Sequence, residues 1–501
     1  MRKWWITGVS LTAFWLIMMG LLISRELVEP SSFIQGPGKR PSFLTKLPFR
    51  QEWMGIYYQN KKVGFSYTAV SPAVLKGEEG YNITNKTNLS LAMLGEEYNL
   101  KLEGFSFVDN LYRLKNFEMR VKCGEHHLEL KGEASRDKLL LLVNSAGAVF
   151  RKEIDIKGEA LLANTLTPFY VLPSLSPGRR FSVNLIDPLT LTLGKAEIVV
   201  GETENYLFHR EMREVLPVEV RYQGMSSRAL ITEEGEILRE ETPLGWVMVK
   251  EDRTEALSWA KEKKDKVDLA YAVAIRVSPE IRDPEKIREL RLKITGADLD
   301  SFSDDRQEVV DKNEGVVVIK KEGLKTKTPP ALPGELAKYK EGDLFIQVNN
   351  KEIREKAREI IGEENDPWRR AKKLNEWVYQ NIKKQPTLSI PSALEVLKTR
   401  EGDCNEHTTL FTALARSLGI PTRVAVGLVY LRGYFFYHAW PEVFVERWIS
   451  LDPTLGEEIA NATHVKLAEG GIEAQTAIMR LIGNIKIEVL GYEYERDDQS
   501  S

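Results

Sequence analysis

From about residue 50 to residue 250, apolar and polar side chains alternate in short runs separated by turn residues. A period of two puts alternate side chains on opposite faces of a pleated strand; wound as a helix, the same runs would mix both kinds on every face. The first half of the chain is therefore expected to be sheet. Met54-Gly-Ile-Tyr-Tyr58 and Val63-Gly-Phe-Ser-Tyr67, joined by Gln59-Asn60-Lys61-Lys62, read as a hairpin. Further strands are expected at 81–91, 97–108, 111–122, 127–133, 138–143, 181–185, 195–201, 216–222, 227–232 and 236–241. Leu128, Leu130 and Gly132 alternate with Glu129 and Lys131, so one face of the sheet is wet. Many short strands of this kind predict a large antiparallel sheet or half-barrel. Cys123-Gly-Glu-His126-His127 reads as a hairpin tip with solvated histidines, not as a metal site.

The rest of the chain is mixed. A short helix is expected at 251–264. Leu269–Val277, Leu290–Ile294 and Gly315–Lys320 read as strands of a small second β unit. Thr328-Pro-Pro-Ala-Leu-Pro-Gly334 marks a boundary. After residue 345 the period becomes helical. Asp366-Pro367 caps and starts a helix that carries Trp368, Ala371, Leu374, Val378 and Ile382 on one stripe. A shorter helix covers about 391–398.

At the other end, Arg2 and Lys3 precede an apolar run from Trp4 to Ile23. Twenty residues at about 1.5 Å each would cross the roughly 30 Å of a bilayer core. With no small-residue cleavage site, the run reads as an uncleaved single-pass anchor in the cell (inner) membrane. The basic pair keeps the N-terminus cytoplasmic and the remainder extracytoplasmic or periplasmic. Five segments follow: cytoplasmic N-terminus and anchor 1–25, linker 26–48, β-rich domain 49–264, small β unit and linker 265–333, and a catalytic domain 334–501 with its motif core at 396–456. The expected class overall is α+β behind a transmembrane helix. Seventy basic against seventy-three acidic side chains leave a net charge of −3, which argues against a nucleic-acid partner. Two cysteines exclude a disulfide framework and a cysteine-rich zinc module.

One of those cysteines sits in a chemically shaped setting. Gly402 permits a tight turn and Asp403 can cap a helix running from Cys404 to Leu418, which Gly419 stops. A thiol in the first helical turn lies at the positive end of the macrodipole, which favours the nucleophilic thiolate. Two strands follow, then Asp452. His438, read as starting one arm of a hairpin, and Asp452, read as ending the other, should meet at one sheet edge. An imidazole there can bond a carboxylate on one side and face a thiol on the other.

Gly402-Asp403-Cys404-Asn-Glu406-His407, Ala415-Arg416-Ser-Leu-Gly419-Ile420-Pro421-Thr422-Arg423-Val424, His438-Ala439-Trp440-Pro441-Glu442-Val443 and Trp448-Ile-Ser-Leu-Asp452-Pro453-Thr454 together resemble the transglutaminase-like family. The resemblance covers roughly residues 340–470. It implies a papain-like α+β domain in which Cys404 is the nucleophile, His438 the general base and acid, and Asp452 the orienting group. The backbone N–H of Cys404 should be one oxyanion donor. The tryptophan that animal transglutaminases place before the nucleophile helix has no counterpart in Leu388–Ser392. The second donor is left unassigned, with Gln380 a guess. His407, one turn from Cys404, either lines the substrate cleft or packs against the sheet and supports the site, and Trp440 and His464 are further cleft candidates. No metal or other cofactor is assigned.

The expected function is a thiol enzyme that cleaves amide bonds of a protein or peptide through a thioester, as a peptidase or amidase. True cross-linking by protein-glutamine γ-glutamyl transfer is the alternative. A non-catalytic binding or assembly protein of the cell envelope is the reading from a different class.

Overall fold

The computed structural model of the protein describes residues 49–495, apart from short internal stretches of which the longest are 163–175, 260–266, 324–333 and 386–391. The chain divides into two compact units, one ending at Asp268 and one starting at Leu269.

The expectation of an α+β chain behind a transmembrane helix is corrected. Strands make up 54% and helices 18%, so the class is β-rich. Among the described residues no helix is long and apolar enough to cross a membrane. The longest, Pro367–Asn381, has 15 residues, or about 22 Å against the roughly 30 Å required, and carries Arg369, Arg370, Lys372 and Lys373. The run 4–23, the linker 26–48, the boundary segment 328–333 and residues 388–391 all lie outside the described residues.

The first unit is a 16-stranded sheet. Its centre is the antiparallel pair Arg50–Tyr58 and Trp246–Glu251, with Trp53 opposite Glu251 and Tyr58 opposite Trp246. On one side the chain runs outward by successive hairpins from Lys61–Leu75 to Ala148–Asp155. On the other, Ile237–Glu241, Met225–Thr232, Glu211–Tyr222, Thr192–Val200 and Arg180–Asp187 continue the order. Local turn chemistry sets this pattern. Gln59 and Asn60 have φ of 48° and 62°, and His209 and Arg210 have 47° and 70°. Two consecutive left-handed residues form the turn whose twist matches paired strands. Glycine serves a different end at Gly132, where the Phe117 ring lies so close that a Cβ would sit 2.0 Å from it. Helix α1, Arg253–Ser258, closes the unit, and the Trp259 indole after it donates to the Lys62 carbonyl at 3.1 Å.

In the second unit the stretch expected as a strand at Leu269–Val277 folds otherwise. Leu269–Val273 is helix α2, and only Ile275–Arg276 is strand. Leu269, Ala270 and Val273 are buried together, a helical spacing that alanine favours. The strands Ile287–Thr295, Gln307–Asp311 and Val316–Lys320 do not stand alone. Ile287–Thr295 pairs with Lys486–Tyr494 from the far end of the chain.

Four helices follow: α3 Lys351–Ile361, α4 Pro367–Asn381, α5 Ala393–Thr399 and α6 Cys404–Ser417. Ile353, Leu374, Val396, Leu410, Phe411 and Leu414 meet Val443, Ile449 and Leu451 in one apolar core. Helix α6 is buried from Cys404 to Ala415. Beside it lies a five-stranded sheet in which Tyr434–Val445 pairs with Thr422–Leu431 and with Arg447–Ser450, and His464–Glu469 lies on the far side of Thr422–Leu431.

Candidate active site

Asp403 starts α6 with a reciprocal cap. Its carboxyl accepts from the Asn405 N–H at 2.7 Å, while the Glu406 carboxylate accepts from the Asp403 N–H at 3.0 Å. Burial first, and then the neighbouring Glu406, push the Asp403 carboxyl well above its ordinary range. The cap fixes where the helix begins and thereby holds Cys404 in its first turn. In the next turn the Thr408 hydroxyl donates to the Ala439 carbonyl at 3.1 Å. That bond ties the start of α6 to the residue beside His438.

His438 and Asp452 are brought together. His438 Nε2 lies 2.7 Å from Asp452 Oδ2. The strand positions differ from those expected: His438 is inside Tyr434–Val445, opposite Gly427, and Asp452 lies two residues beyond Arg447–Ser450. A turn after that strand aims the carboxylate. Asp452 Oδ1 accepts from the N–H groups of Thr454 at 2.7 Å and Leu455 at 2.9 Å.

A second imidazole shares the carboxylate. His464 Nε2 lies 3.0 Å from the same Oδ2. Burial alone would raise the Asp452 pKa, but His438 and His464 hold it well below the usual carboxylate range. An ionised carboxylate only accepts, so both imidazoles must donate from Nε2. The lone pair of neutral His438 is then on Nδ1, which is buried and, among the described residues, has no hydrogen-bond partner. That is the atom required of a base. His464 is thus a hydrogen-bond partner of Asp452.

Trp440 packs the pair. Its ring lies 6.1 Å from that of His438, nearly parallel, and 5.2 Å from that of His464, edge-on. His407 Nδ1 bonds the Asp403 carbonyl at 2.6 Å. Burial, the largest influence on His407, pulls its pKa down to about 4 and keeps it neutral. Gln380 is exposed and bonded to Glu376 at 3.0 Å, so it is no oxyanion donor.

Polar atoms without partners concentrate here. Among the described residues, His407 Nε2, His438 Nδ1, His464 Nδ1 and Trp440 Nε1 are buried and have no hydrogen-bond partner. Cys404, His438 and Asp452 have no exposed surface. The ligand atoms of His438, Asp452 and His464 lie within 4.8 Å of one another and could hold a cation. Hydrogen bonds to Oδ2 account for the cluster without one.

Residues 354–453 match the model of the transglutaminase-like superfamily. The chain carries a transglutaminase-like domain. Cys404, His438 and Asp452 all fall inside that match, whereas His464 falls beyond it. No curated protein matches the sequence. Among solved structures, a proposed cysteine protease from Cytophaga hutchinsonii is similar over 45% of this chain and 85% of its own, at 17% identity and a TM-score of 0.28. A β-barrel-like domain of unknown function from Brucella abortus is similar over 41% and 96%, at 10% identity and a TM-score of 0.32. A proposed protease from Parabacteroides distasonis is similar over 75% and 69%, at 10% identity and a TM-score of 0.19. All three TM-scores lie below 0.5.

Sequence reasoning missed one charged residue of the transglutaminase-like domain. Lys384 lies in a two-residue strand, Lys383–Lys384, that pairs in parallel with Glu401–Gly402. A lysine pair after a helix gives no sequence signal beyond a solvated turn.

Proposed function

We propose that the protein is a thiol hydrolase of amide bonds in protein or peptide substrates, working through a thioester on Cys404. The observation that carries this is the 2.7 Å bond from His438 Nε2 to an ionised Asp452, which leaves Nδ1 as a buried, unbonded base. His438 Nδ1 takes the thiol proton and the Cys404 sulfur attacks the carbonyl carbon. The imidazolium, stabilised by Asp452, then returns the proton to the leaving amine. Water, activated by the same imidazole, resolves the thioester. Hydrolysis is favoured over amine transfer because water is present at about 55 M, so an amine must be held in line to compete. The aromatic residue that animal transglutaminases place before the nucleophile is absent from Leu388–Ser392.

Incubation of the protein with a peptide library, with and without a labelled primary amine, tests the reading. Free acids should predominate, and mass spectrometry should find the acyl adduct on Cys404. Predominant amine incorporation would establish cross-linking instead. Failure to acylate Cys404 at all would leave the binding or assembly reading.

A further inference from the structure

Lys384 is a charged side chain at the candidate site to which the catalytic steps above give no task. Its backbone is bonded into the approach to the nucleophile. Lys384 pairs with Gly402, and the Gln385 N–H donates to the Gly402 carbonyl at 3.0 Å. Its ammonium nitrogen stands 4.1 Å from the centre of the Tyr379 ring. That ring in turn packs on Gly456, where an added Cβ would lie 2.8 Å from it. The Gly456 N–H donates to the backbone carbonyl of Asp452 at 2.8 Å. Tyr379 therefore holds the ammonium between the strand that leads to Cys404 and the turn that carries Asp452. Among the described residues no carboxylate pairs with Lys384. The groups that face it are Asp452, His407 and Tyr379.

We propose that the Lys384 ammonium is the second oxyanion donor, acting with the Cys404 backbone N–H on the tetrahedral intermediate. The inference rests on the hydrolase reading above. As the sulfur–carbon bond forms, the carbonyl π pair moves onto oxygen. Lys384 donates a hydrogen bond to that oxyanion and keeps its proton. When the intermediate collapses, the pair returns, the carbon–nitrogen bond breaks, and the amine leaves with the proton carried by His438. Before reaction the half-buried ammonium has only the Tyr379 ring and the unbonded charge of Asp452 for company, and at the oxyanion it gains a direct hydrogen bond. Such a difference between ground and transition state is what raises a rate. Burial, partly offset by Asp452, brings the Lys384 pKa down to about 8, so the donor loses its charge in mild alkali.

The test uses the full chain and p-nitrophenyl acetate, with nitrophenolate release and intact mass as readouts. Wild type should acylate Cys404, with a rate constant that falls as the pH rises through about 8. Lys384→Met should acylate about 10²–10³-fold more slowly at an unchanged KM, and its rate should lack the alkaline fall. Lys384→Arg, which keeps a cation, should recover part of the loss. The wild-type pH profile needs no variant to fold. Equal rates for wild type and Lys384→Met would overturn the inference. So would a loss confined to KM, which would mean recognition of a charge on the substrate, or persistence of the alkaline fall without Lys384. No acyl adduct in wild type would sink the hydrolase reading itself and the inference with it.

Discussion

The two units bring distant residues together in different ways. In the first, most strands pair with a sequence neighbour, and two-residue turns such as Gln59–Asn60 do the joining. In the second, partners come from afar. Ile287–Thr295 pairs with Lys486–Tyr494, and Asp452 collects His438 and His464 from two different strands. Local pairing gives area and regularity, while long-range pairing gives convergence, which chemistry requires. The two cysteines show the same contrast. Cys123 is one more buried side chain on a strand, and burial raises its pKa to about 11. Cys404 begins a capped helix bonded to the residue next to His438.

The contrast breaks most visibly at the proposed triad. Cys404→Ala and His438→Ala should each lower acyl turnover by at least about 10⁴-fold, and the double variant should lose little more. Asp452→Asn should cost about 10²–10⁴-fold, because it holds the imidazole but neither makes nor breaks a bond. Cys123→Ala should leave turnover unchanged. His407→Ala proving as harmful as His438→Ala in a folded protein would reassign the base.

A smaller effect concerns acid. His407 is neutral when folded, with a pKa near 4 against the ordinary 6.5. The unfolded chain therefore binds a proton that the folded protein refuses. Stability is full above about pH 6.5 and falls as the pH drops toward 4, by about 3 kcal/mol from this group. Denaturant titrations at several pH values should show a flatter dependence in His407→Gln.

Smaller again is Gly427→Ala. Gly427 is opposite His438, and a Cβ there would lie 2.0 Å from the Val465 carbonyl oxygen. The strand His464–Glu469 must move, at about 1–3 kcal/mol. Because His464 begins that strand, turnover should fall along with thermal stability; a stability loss without an activity loss would show that His464 is dispensable. The smallest effect is on the thiol outside the site. In the folded protein Cys123 should resist iodoacetamide until the pH approaches 11, and rapid labelling at neutral pH would mean that the sheet opens.

Much of this was legible beforehand for a physical reason. Alternation, turn pairs and caps are local, so the strands from 54–67 to 236–241, the helix at Asp366 and the start of α6 could be read from neighbours in the sequence. Cys404 was legible from the capped start of its helix, whereas His438 and Asp452 came from the resemblance of the blocks that carry them, since His438 lies mid-strand and Asp452 beyond its strand. Register was not legible. Nothing near His464 says that its strand will lie across Thr422–Leu431 and deliver the ring to Asp452. Nor does anything near Ile287 say that residues 486–494 will complete its sheet. Lys384 was invisible because its burial depends on Tyr379 and Gly456, which only the fold assembles. The strand expected at Leu269–Val277 failed because buried alanine-rich segments suit either period when short.

The central pair of the large sheet has a mechanical consequence. Arg50–Tyr58 and Trp246–Glu251 run antiparallel with Trp53 opposite Glu251, so the chain enters and leaves this unit side by side. Tension applied between residues 49 and 252 would load that ladder one rung at a time, like a zipper pulled from its open end. The unit is therefore expected to yield at low force from its middle, while its outer hairpins carry none of the strain.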